Sequence, residues 1–175
     1  MAVFIPDSED QTRLDWKVLR DGGISIYRNH VFLDEDVVTL QTNQYSVRCL
    51  DCSTWLTSAD MHDSLKHTLQ FPDYYGRNLG ALNDCLQENL DVPLVGGLVI
   101  IFRNFDRFAN VSPESLQLAS GILDICARSS RVHMLTGRRF LIFVQSDDPK
   151  IRFDGLGSVS GHWNRREWLS KNREL

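Results

Sequence analysis

Two short, almost wholly apolar segments constrain the fold of this chain more than any other feature. Residues 96–102 (GGLVIIF) and residues 140–144 (FLIFV) are rich in β-branched and aromatic side chains. Segments this short and this apolar are typical of strands that are covered on both faces, as in a parallel sheet. Between them, Ser112 followed by Pro113 is a typical start for a helix that connects two parallel strands. We therefore predict an α/β domain with a small, mainly parallel sheet packed with helices.

The N-terminal part of the chain predicts additional elements. Residues 16–20 and 24–28 show alternating patterns around two consecutive glycines, which suit the tight turn of a β-hairpin. In residues 33–44 the apolar positions follow acidic ones, which favours a short helix. We therefore expect a β-hairpin and a helix to extend the domain at its N-terminus.

Composition places the chain among globular proteins. With 175 residues, of which 42% are hydrophobic and 24% charged, it can bury one core and is too apolar to be disordered. No stretch reaches the roughly 18 apolar residues of a membrane span, and the N-terminus lacks the basic and apolar regions of a secretory signal. Four cysteines are too few for a disulfide framework in a chain of this length. We expect a cytoplasmic protein.

Charge is divided unevenly along the chain. Residues 1–91 carry 15 acidic and seven basic side chains, a net charge of −8, whereas residues 92–175 carry eight acidic and 12 basic side chains, a net charge of +4. Acidic side chains repel phosphate backbones and, if they share one face, attract a basic partner. Spread over the surface, the same charges are ordinary solvated groups. The charge therefore argues against nucleic acid as a ligand.

The sequence does not support the candidate metal and cofactor motifs. Cys49 and Cys52, followed by His62 and His67, resemble a zinc finger, but the gap between the two pairs is too short. On a helix, His62 and His67 would lie about 140° apart and would not converge on one ion. The chain has no glycine-rich phosphate loop and no Gly-x-Ser-x-Gly nucleophile motif. We predict no metal, no cofactor, no catalytic residue and no small-molecule ligand.

The most informative segment is residues 71–86 (FPDYYGRNLGALNDCL). Leu79, Leu82 and Leu86 form an apolar stripe at helical spacing, so we expect them to face the core. The outward face of that helix would then carry small, amide and acidic side chains: Gly80, Asn83, Asp84 and Gln87. A carboxylate in such surroundings can enter a cationic pocket without steric obstruction. The simpler alternative is that this carboxylate is only solvated.

The loop ahead of this helix contributes two aromatic residues. Tyr74 and Tyr75 lie between Pro72 and Gly76. Tyrosine combines apolar area, few rotatable bonds and a hydroxyl group, and it is therefore enriched in protein interfaces. The pattern fits an interface loop, and it also fits a loop whose tyrosines pack onto the core.

Taken together, these residues resemble the signature of the barstar family of bacterial ribonuclease inhibitors. The signature runs P-[DE]-Y-Y-G-x-N-L-x-A-L-x-D-C-L. This chain matches it at Pro72, Asp73, Tyr74, Tyr75, Gly76, Asn78, Leu79, Ala81, Leu82, Asp84, Cys85 and Leu86. The resemblance covers residues 45–146. It implies a barstar-like domain over 45–146, an N-terminal extension over 1–44, and a C-terminal extension over 147–175 packed on the domain.

The resemblance implies a stoichiometric inhibitor, such as an immunity protein, of a basic microbial ribonuclease or related toxin, and not an enzyme. In the family, the motif helix and its preceding loop cover the ribonuclease active site. Carried over by position, Asp84 would occupy the phosphate site of the nuclease and Tyr74 would contact its histidine. The expected partner-binding residues are Tyr74, Tyr75, Gly76, Asn78, Gly80, Asn83, Asp84 and Gln87.

Several positions depart from the family pattern. The small prototype of the barstar family has a second interfacial acid at the position of Gly80. Asn83 replaces an interfacial tryptophan of the prototype, and Arg77 replaces an acid. Arg128 lies in the stretch where a later acidic contact is expected. These changes leave open a different nuclease or, as an alternative, a protein-binding module with a non-nuclease partner. A small enzyme that uses Asp84 or a histidine as general base is a third hypothesis, although no acid–base pair is visible.

Overall fold

The computed structural model describes residues 10–153 and 161–173. Its helices are α1 (Leu14–Arg20), α2 (His30–Thr42), α3 (Ser58–Leu69), α4 (Leu79–Asp84), α5 (Phe105–Ala109) and α6 (Pro113–Leu135). Its strands are β1 (Ile24–Tyr27), β2 (Tyr45–Asp51), β3 (Gly97–Arg103), β4 (Phe140–Gln145) and β5 (His162–Trp163). A π-helical turn, Cys85–Asn89, directly follows α4. The predicted lack of a secretory signal concerns N-terminal residues that lie almost wholly outside the described part.

The described strands form one parallel sheet in the order β2-β3-β4-β1-β5. The two apolar segments of the sequence are its central strands β3 and β4, and every residue of β4 is buried. This confirms the predicted α/β fold with a parallel sheet. Ile100 in β3 pairs with Arg48 in β2 and with Ile142 in β4, so the register runs continuously across the centre of the sheet.

Helices cover both faces of the sheet. Because successive strand residues point to opposite sides, Ile100 and Phe102 belong to one apolar cluster while Val99 and Ile101 belong to another. The first face packs against α3, α4, α5 and α6 through apolar residues that include Met61, Leu65, Leu82, Phe105, Phe108 and Ile122. The second face packs against α1 and α2 through Val18, Leu19, Leu33 and Leu40. Burial on two sides explains why β3 and β4 are apolar up to their last residues, Arg103 and Gln145.

The predicted N-terminal hairpin is wrong. Residues 14–20 form helix α1, and β1 pairs in parallel with β4 and β5. The two glycines end the helix: Gly22 and Gly23 have φ angles of 108° and 86°, and the Gly23 amide donates to the Val18 carbonyl oxygen at 2.8 Å. Positive φ serves a helix C-terminus as well as a hairpin turn. Burial of Val18 and Leu19 against the second face then favours the helix.

The helix predicted at residues 33–44 is confirmed as α2, and α3 is a second helix with a side-chain cap. Helix α2 begins at His30 because the Asn29 side chain accepts hydrogen bonds from the amides of the first turn. Helix α3 begins with a capping box between Thr57 and Asp60. It ends before Pro72, at Gln70, which adopts a left-handed conformation.

The C-terminal segment attaches to the sheet through a buried carboxylate. Glu167 is 1% exposed and accepts hydrogen bonds from the amides of Arg28 and Asn29, which directly follow β1. Asn164 donates to Glu167 and to the Ile26 carbonyl oxygen. Strands β1 and β5, from the two flanking segments, thus join the sheet of residues 45–145. The division of the chain into residues 1–44, 45–146 and 147–175 stays a prediction. None of the described helices combines the length and apolarity needed to cross a membrane.

Candidate partner-binding surface

The loop between α3 and α4 is held to the core by Tyr75. Its ring is 6% exposed and packs against Phe71, with ring centroids 5.1 Å apart. Its hydroxyl lies 2.6 Å from Nδ1 of the buried His62. Burial raises the pKa of Tyr75, and burial together with the positive charge of Arg77 lowers the pKa of His62, so both groups are neutral. The structure therefore places Tyr75 in the core, where its ring cannot contact a partner.

Tyr74 points the other way and is 75% exposed. Its hydroxyl accepts a hydrogen bond from Asn89 Nδ2 at 3.2 Å, which fixes the outer end of the ring. Tyr74 lies in a turn that is closed by the Tyr75 amide, which donates to the Pro72 carbonyl oxygen at 3.0 Å, and only the second tyrosine is buried. The sequence left open whether the tyrosines pack onto the core or lie at an interface. In the structure Tyr75 packs onto the core and supports the loop, whereas Tyr74 is exposed to solvent.

Ion pairs tie the loop to α3. Arg77 has a φ of 47° and pairs with Asp63 at 2.5 Å, and Lys66 pairs with Asp73 at 3.4 Å. Exposed pairs of this kind contribute little to stability, but they orient the loop. The arginine that replaces a family acid is therefore neutralised by the protein's own carboxylate. Arg128 is neutralised in the same way by Asp124, at 2.9 Å.

Helix α4 begins at the cap that the signature predicts. The Asn78 side chain accepts from the Ala81 amide at 2.8 Å and donates to the Gly76 carbonyl oxygen at 3.0 Å, so loop and helix are joined at this residue. Leu82 is fully buried beneath the helix. The predicted outward residues are exposed or half-buried: Gly80 and Asp84 are exposed, and Asn83 and Gln87 are half-buried.

An amide chain orients the Asp84 carboxylate. Gln87 Nε2 donates to Asn83 Oδ1 at 2.9 Å, and Asn83 Nδ2 donates to Asp84 Oδ1 at 3.3 Å. Among the described residues, no cation forms an ion pair with Asp84. The carboxylate is therefore held in place, solvated and uncompensated, which is the state that a cationic partner group would meet.

The π-helical turn Cys85–Asn89 widens the end of α4. Such turns are rare and occur frequently at functional sites. Here the turn brings Asn89 to Tyr74, a contact that the predicted regular helix does not include. Burial and the charges of Asp84 and Glu88 raise the pKa of the Cys85 thiol, which is therefore not a reactive group. We call the exposed residues of loop 70–78 and of residues 79–89, centred on Tyr74 and Asp84, the motif surface.

Sequence reasoning missed two contributors to this surface. His62 supports Tyr75 from α3, and Asn89 contacts Tyr74 from the π-helical turn. The local pattern around Asn89 shows no departure from a helix, so no sequence signal could have located it. The sequence indicates His62 only as a candidate zinc ligand or general base, and not as a support for Tyr75. In the part of the chain that the structure describes, no group of three or more His, Cys, Asp or Glu side chains could hold a metal.

Comparison with known protein families covers the same region. The family model described as Barstar (barnase inhibitor) matches residues 45–145, more than half of the chain. The chain belongs to the barstar family. The match includes the whole motif surface, so Tyr74 and Asp84 lie inside the barstar domain. The helix α1, most of the second-face cover and strand β5 lie outside it.

A curated relative carries a name of the same kind. It is "Putative ribonuclease inhibitor YrdF" from Bacillus subtilis (strain 168), 52% identical to this chain over 50 residues. Those residues make up 29% of this chain and 50% of that protein, so the match spans half the length of the relative. Both the family description and this name denote an inhibitor and not an enzyme.

Proposed function

We propose that this barstar-family protein is a stoichiometric inhibitor of a basic microbial ribonuclease or related toxin. One observation carries the proposal: Asp84 is exposed, oriented by Asn83 and without an ion-pair partner among the described residues, and the π-helical turn that follows it contacts the exposed Tyr74 through Asn89. The motif surface would cover the active site of the nuclease. A cell that makes such a nuclease needs the inhibitor beside its own RNA, so we place the protein in the cytoplasm, as an immunity protein would be.

The mechanism follows from charge and shape. A ribonuclease binds RNA phosphate with arginine, lysine and histidine side chains, and Asp84 would take the place of that phosphate. Tyr74 would lie on the imidazole ring of the nuclease and exclude water from the charge pair, which strengthens the pair. Acidic side chains around Asp84, including Glu88, would steer a basic partner toward the surface, and salt would weaken this steering.

The departures from the family pattern bear on which nuclease is inhibited. Gly80 and Asn83 remove a charged and an aromatic anchor, and a few such anchors dominate the energy of an interface. We expect weaker inhibition of barnase than of a nuclease whose rim matches Gly80 and Asn83. The smooth, uncharged surface at Gly80 would accept a partner side chain that an acid at this position would exclude.

The test is a titration of ribonuclease activity. Barnase, and any ribonuclease that co-purifies with the protein from its native cells, is incubated with increasing amounts of inhibitor and the residual cleavage of RNA is measured. Activity should fall linearly to an end point at equal molar amounts. Asp84→Ala should weaken the complex by at least about 2 kcal/mol, a general cost of truncating one partner of a buried charge pair for which barnase–barstar is itself the reference case.

Asp34→Ala is the matched control, because Asp34 is an exposed acid on α2, at the opposite face of the sheet. It should leave the complex unchanged. A complex of undiminished affinity with the Asp84→Ala variant would remove Asp84 as the anchor. If no ribonuclease is inhibited while a partner without nuclease activity binds the motif surface one-to-one, the protein is a binding module with a different target.

A further inference from the structure

A cleft of about 1040 Å³ lies on the second face of the sheet, away from the motif surface. Its walls are α1, α2, strand β1 and the C-terminal segment that includes β5. All of its lining residues fall in the ranges 12–43 and 162–169. None of them belongs to the region matched by the barstar family, so this space is formed wholly by the two flanking segments. We call it the flank cleft.

The flank cleft has apolar walls with an aromatic group at its mouth. Val18 and Leu40 form part of the inner wall and are almost fully buried. On the outer wall, Trp168 and Leu169 are each more than half exposed. The ring of His162 stacks on that of Trp168, with centroids 5.6 Å apart and planes 22° apart. The exposed ring of Trp168, supported by the half-buried His162 and lying beside apolar side chains, offers a surface on which a flat ring can lie.

The charges of the lining residues do not cancel. They include five Lys or Arg side chains and three Asp side chains, and one of the five, Arg166, also pairs with Glu35 outside the lining at 2.5 Å. Each carboxylate is already paired within the wall: Asp15 with Arg13 at 2.6 Å, Asp21 with Arg20 at 2.7 Å, and Asp36 with Arg166 at 2.8 Å.

Two of these carboxylates also accept hydrogen bonds from buried tyrosine hydroxyls. Tyr45 donates to Asp15 at 2.8 Å and Tyr27 donates to Asp36 at 2.8 Å. Lys17, in contrast, has no ion-pair partner among the described residues. The carboxylates are therefore compensated inside the wall, and a positive charge remains at Lys17.

We propose that the flank cleft binds a small organic anion with an aromatic body. The aromatic body would lie against Trp168 and the apolar wall, and the anionic group would pair with Lys17. A volume near 1000 Å³ is at the upper end of the range for small-molecule sites, and apolar side chains line part of this cleft between its charged groups. The uncompensated charge of Lys17 selects an anion over a cation or a neutral molecule. This site is independent of the proposed inhibition, and it departs from the sequence-based expectation that no small-molecule ligand binds.

The experiment uses 8-anilinonaphthalene-1-sulfonate as the probe, an aromatic sulfonate that becomes fluorescent in apolar surroundings. The full-length protein should show saturable binding of one probe molecule, with energy transfer from nearby tryptophans. Lys17→Glu should weaken binding about tenfold, because it replaces an attraction with a repulsion, and Trp168→Ala should weaken it severalfold. Naphthalene-1-sulfonate should displace the probe, whereas the uncharged 1-naphthalenemethanol at equal concentration should not.

Lys150→Glu is the matched control, because it makes the same charge change at an exposed lysine that does not line the cleft. It should bind the probe like the unaltered protein, and circular dichroism should show all variants folded. The proposal is overturned if probe binding does not saturate, if Lys17→Glu and Lys150→Glu weaken it equally, or if both naphthalene compounds compete equally well. Ribonuclease inhibition by the Lys17→Glu variant should be unchanged, which separates this site from the motif surface.

Discussion

The motif surface and the flank cleft are two regions of the protein that are built in opposite ways around one sheet. The motif surface is exposed, comes from one continuous stretch of the barstar domain, and presents an uncompensated carboxylate at Asp84. The flank cleft is concave, comes from two segments far apart in the sequence, and leaves a positive charge at Lys17. The comparison shows that the family scaffold supplies the motif surface by itself, whereas the flanking segments form a cleft with the opposite uncompensated charge on the other face.

The prediction with the largest expected effect, a loss of unfolding free energy, tests whether the motif surface depends on the core beneath it. Leu82 is fully buried under α4, so Leu82→Ala should lower the free energy of unfolding by about 2–5 kcal/mol. Urea denaturation followed by circular dichroism measures this loss. Val38→Ala, at an exposed position of α2, should change stability by no more than about 0.5 kcal/mol. A loss as small for Leu82→Ala as for Val38→Ala would mean that burial does not hold α4 in place.

A smaller effect separates the flank cleft from the rest of the protein. Glu167→Ala removes the acceptor for the amides of Arg28 and Asn29, which should cost about 1–3 kcal/mol of unfolding free energy. Because Glu167 anchors the outer wall, probe binding in the cleft should also be lost, while ribonuclease inhibition persists. Hydrogen exchange of residues 161–173 should increase. Glu167→Gln keeps one acceptor oxygen and should show an intermediate effect; loss of inhibition in a folded variant would show that the sites are coupled.

The smallest expected effect is on the pH dependence of the unfolding free energy, which has opposite signs for buried groups on the first face and beside the flank cleft. Burial lowers the pKa of His62 and His133 on the first face, so the unfolded chain binds more protons than the folded protein below the ordinary value of 6.5. The stability that these neutral histidines provide is therefore present above pH 6.5 and is lost as the pH falls through their lowered pKa. Burial raises the pKa of Asp36 beside the flank cleft, which favours the folded state as the pH falls toward 3.8.

His62→Gln isolates the contribution of the first face. The loss of unfolding free energy between about pH 7.5 and about pH 5.5 should be smaller in this variant, because one buried histidine no longer titrates. Urea denaturation at both pH values measures the difference. His67→Gln, at an exposed position of the same helix, is the matched control. An unchanged pH dependence in His62→Gln would mean that His62 is not the group responsible.

Much of the fold could be predicted because its signals are local and strong. The apolar segments of β3 and β4 have few alternatives to buried strands, and Leu82 lies on an unambiguous helical stripe. The hairpin prediction failed because Gly22 and Gly23 allow a helix end as well as a tight turn. Burial of the preceding helix against the second face decided between the two, and that contact is not visible in the local pattern.

The candidate site was predicted in part for the same reason. Asp84 and Tyr74 could be assigned from the signature and the helix period, and the structure leaves both exposed. Tyr75 could not be separated from Tyr74, because two identical neighbours differ only in the direction that each side chain takes. Asn89 could not be assigned at all, since a π-helical turn changes which residue meets the loop without changing the composition of the helix.

The amino-acid sequence by itself determined the buried strands β3 and β4, the family and the position of the exposed acid, because each depends on residues close together in the chain. The tertiary structure decided which tyrosine is buried, which carboxylates are compensated and where a cleft opens. Those properties depend on which surfaces meet after folding: Asp15, Asp36 and Glu167 are each satisfied by partners from distant segments. Charge compensation and concavity are properties of contacts, and contacts between distant segments exist only once the sheet has assembled.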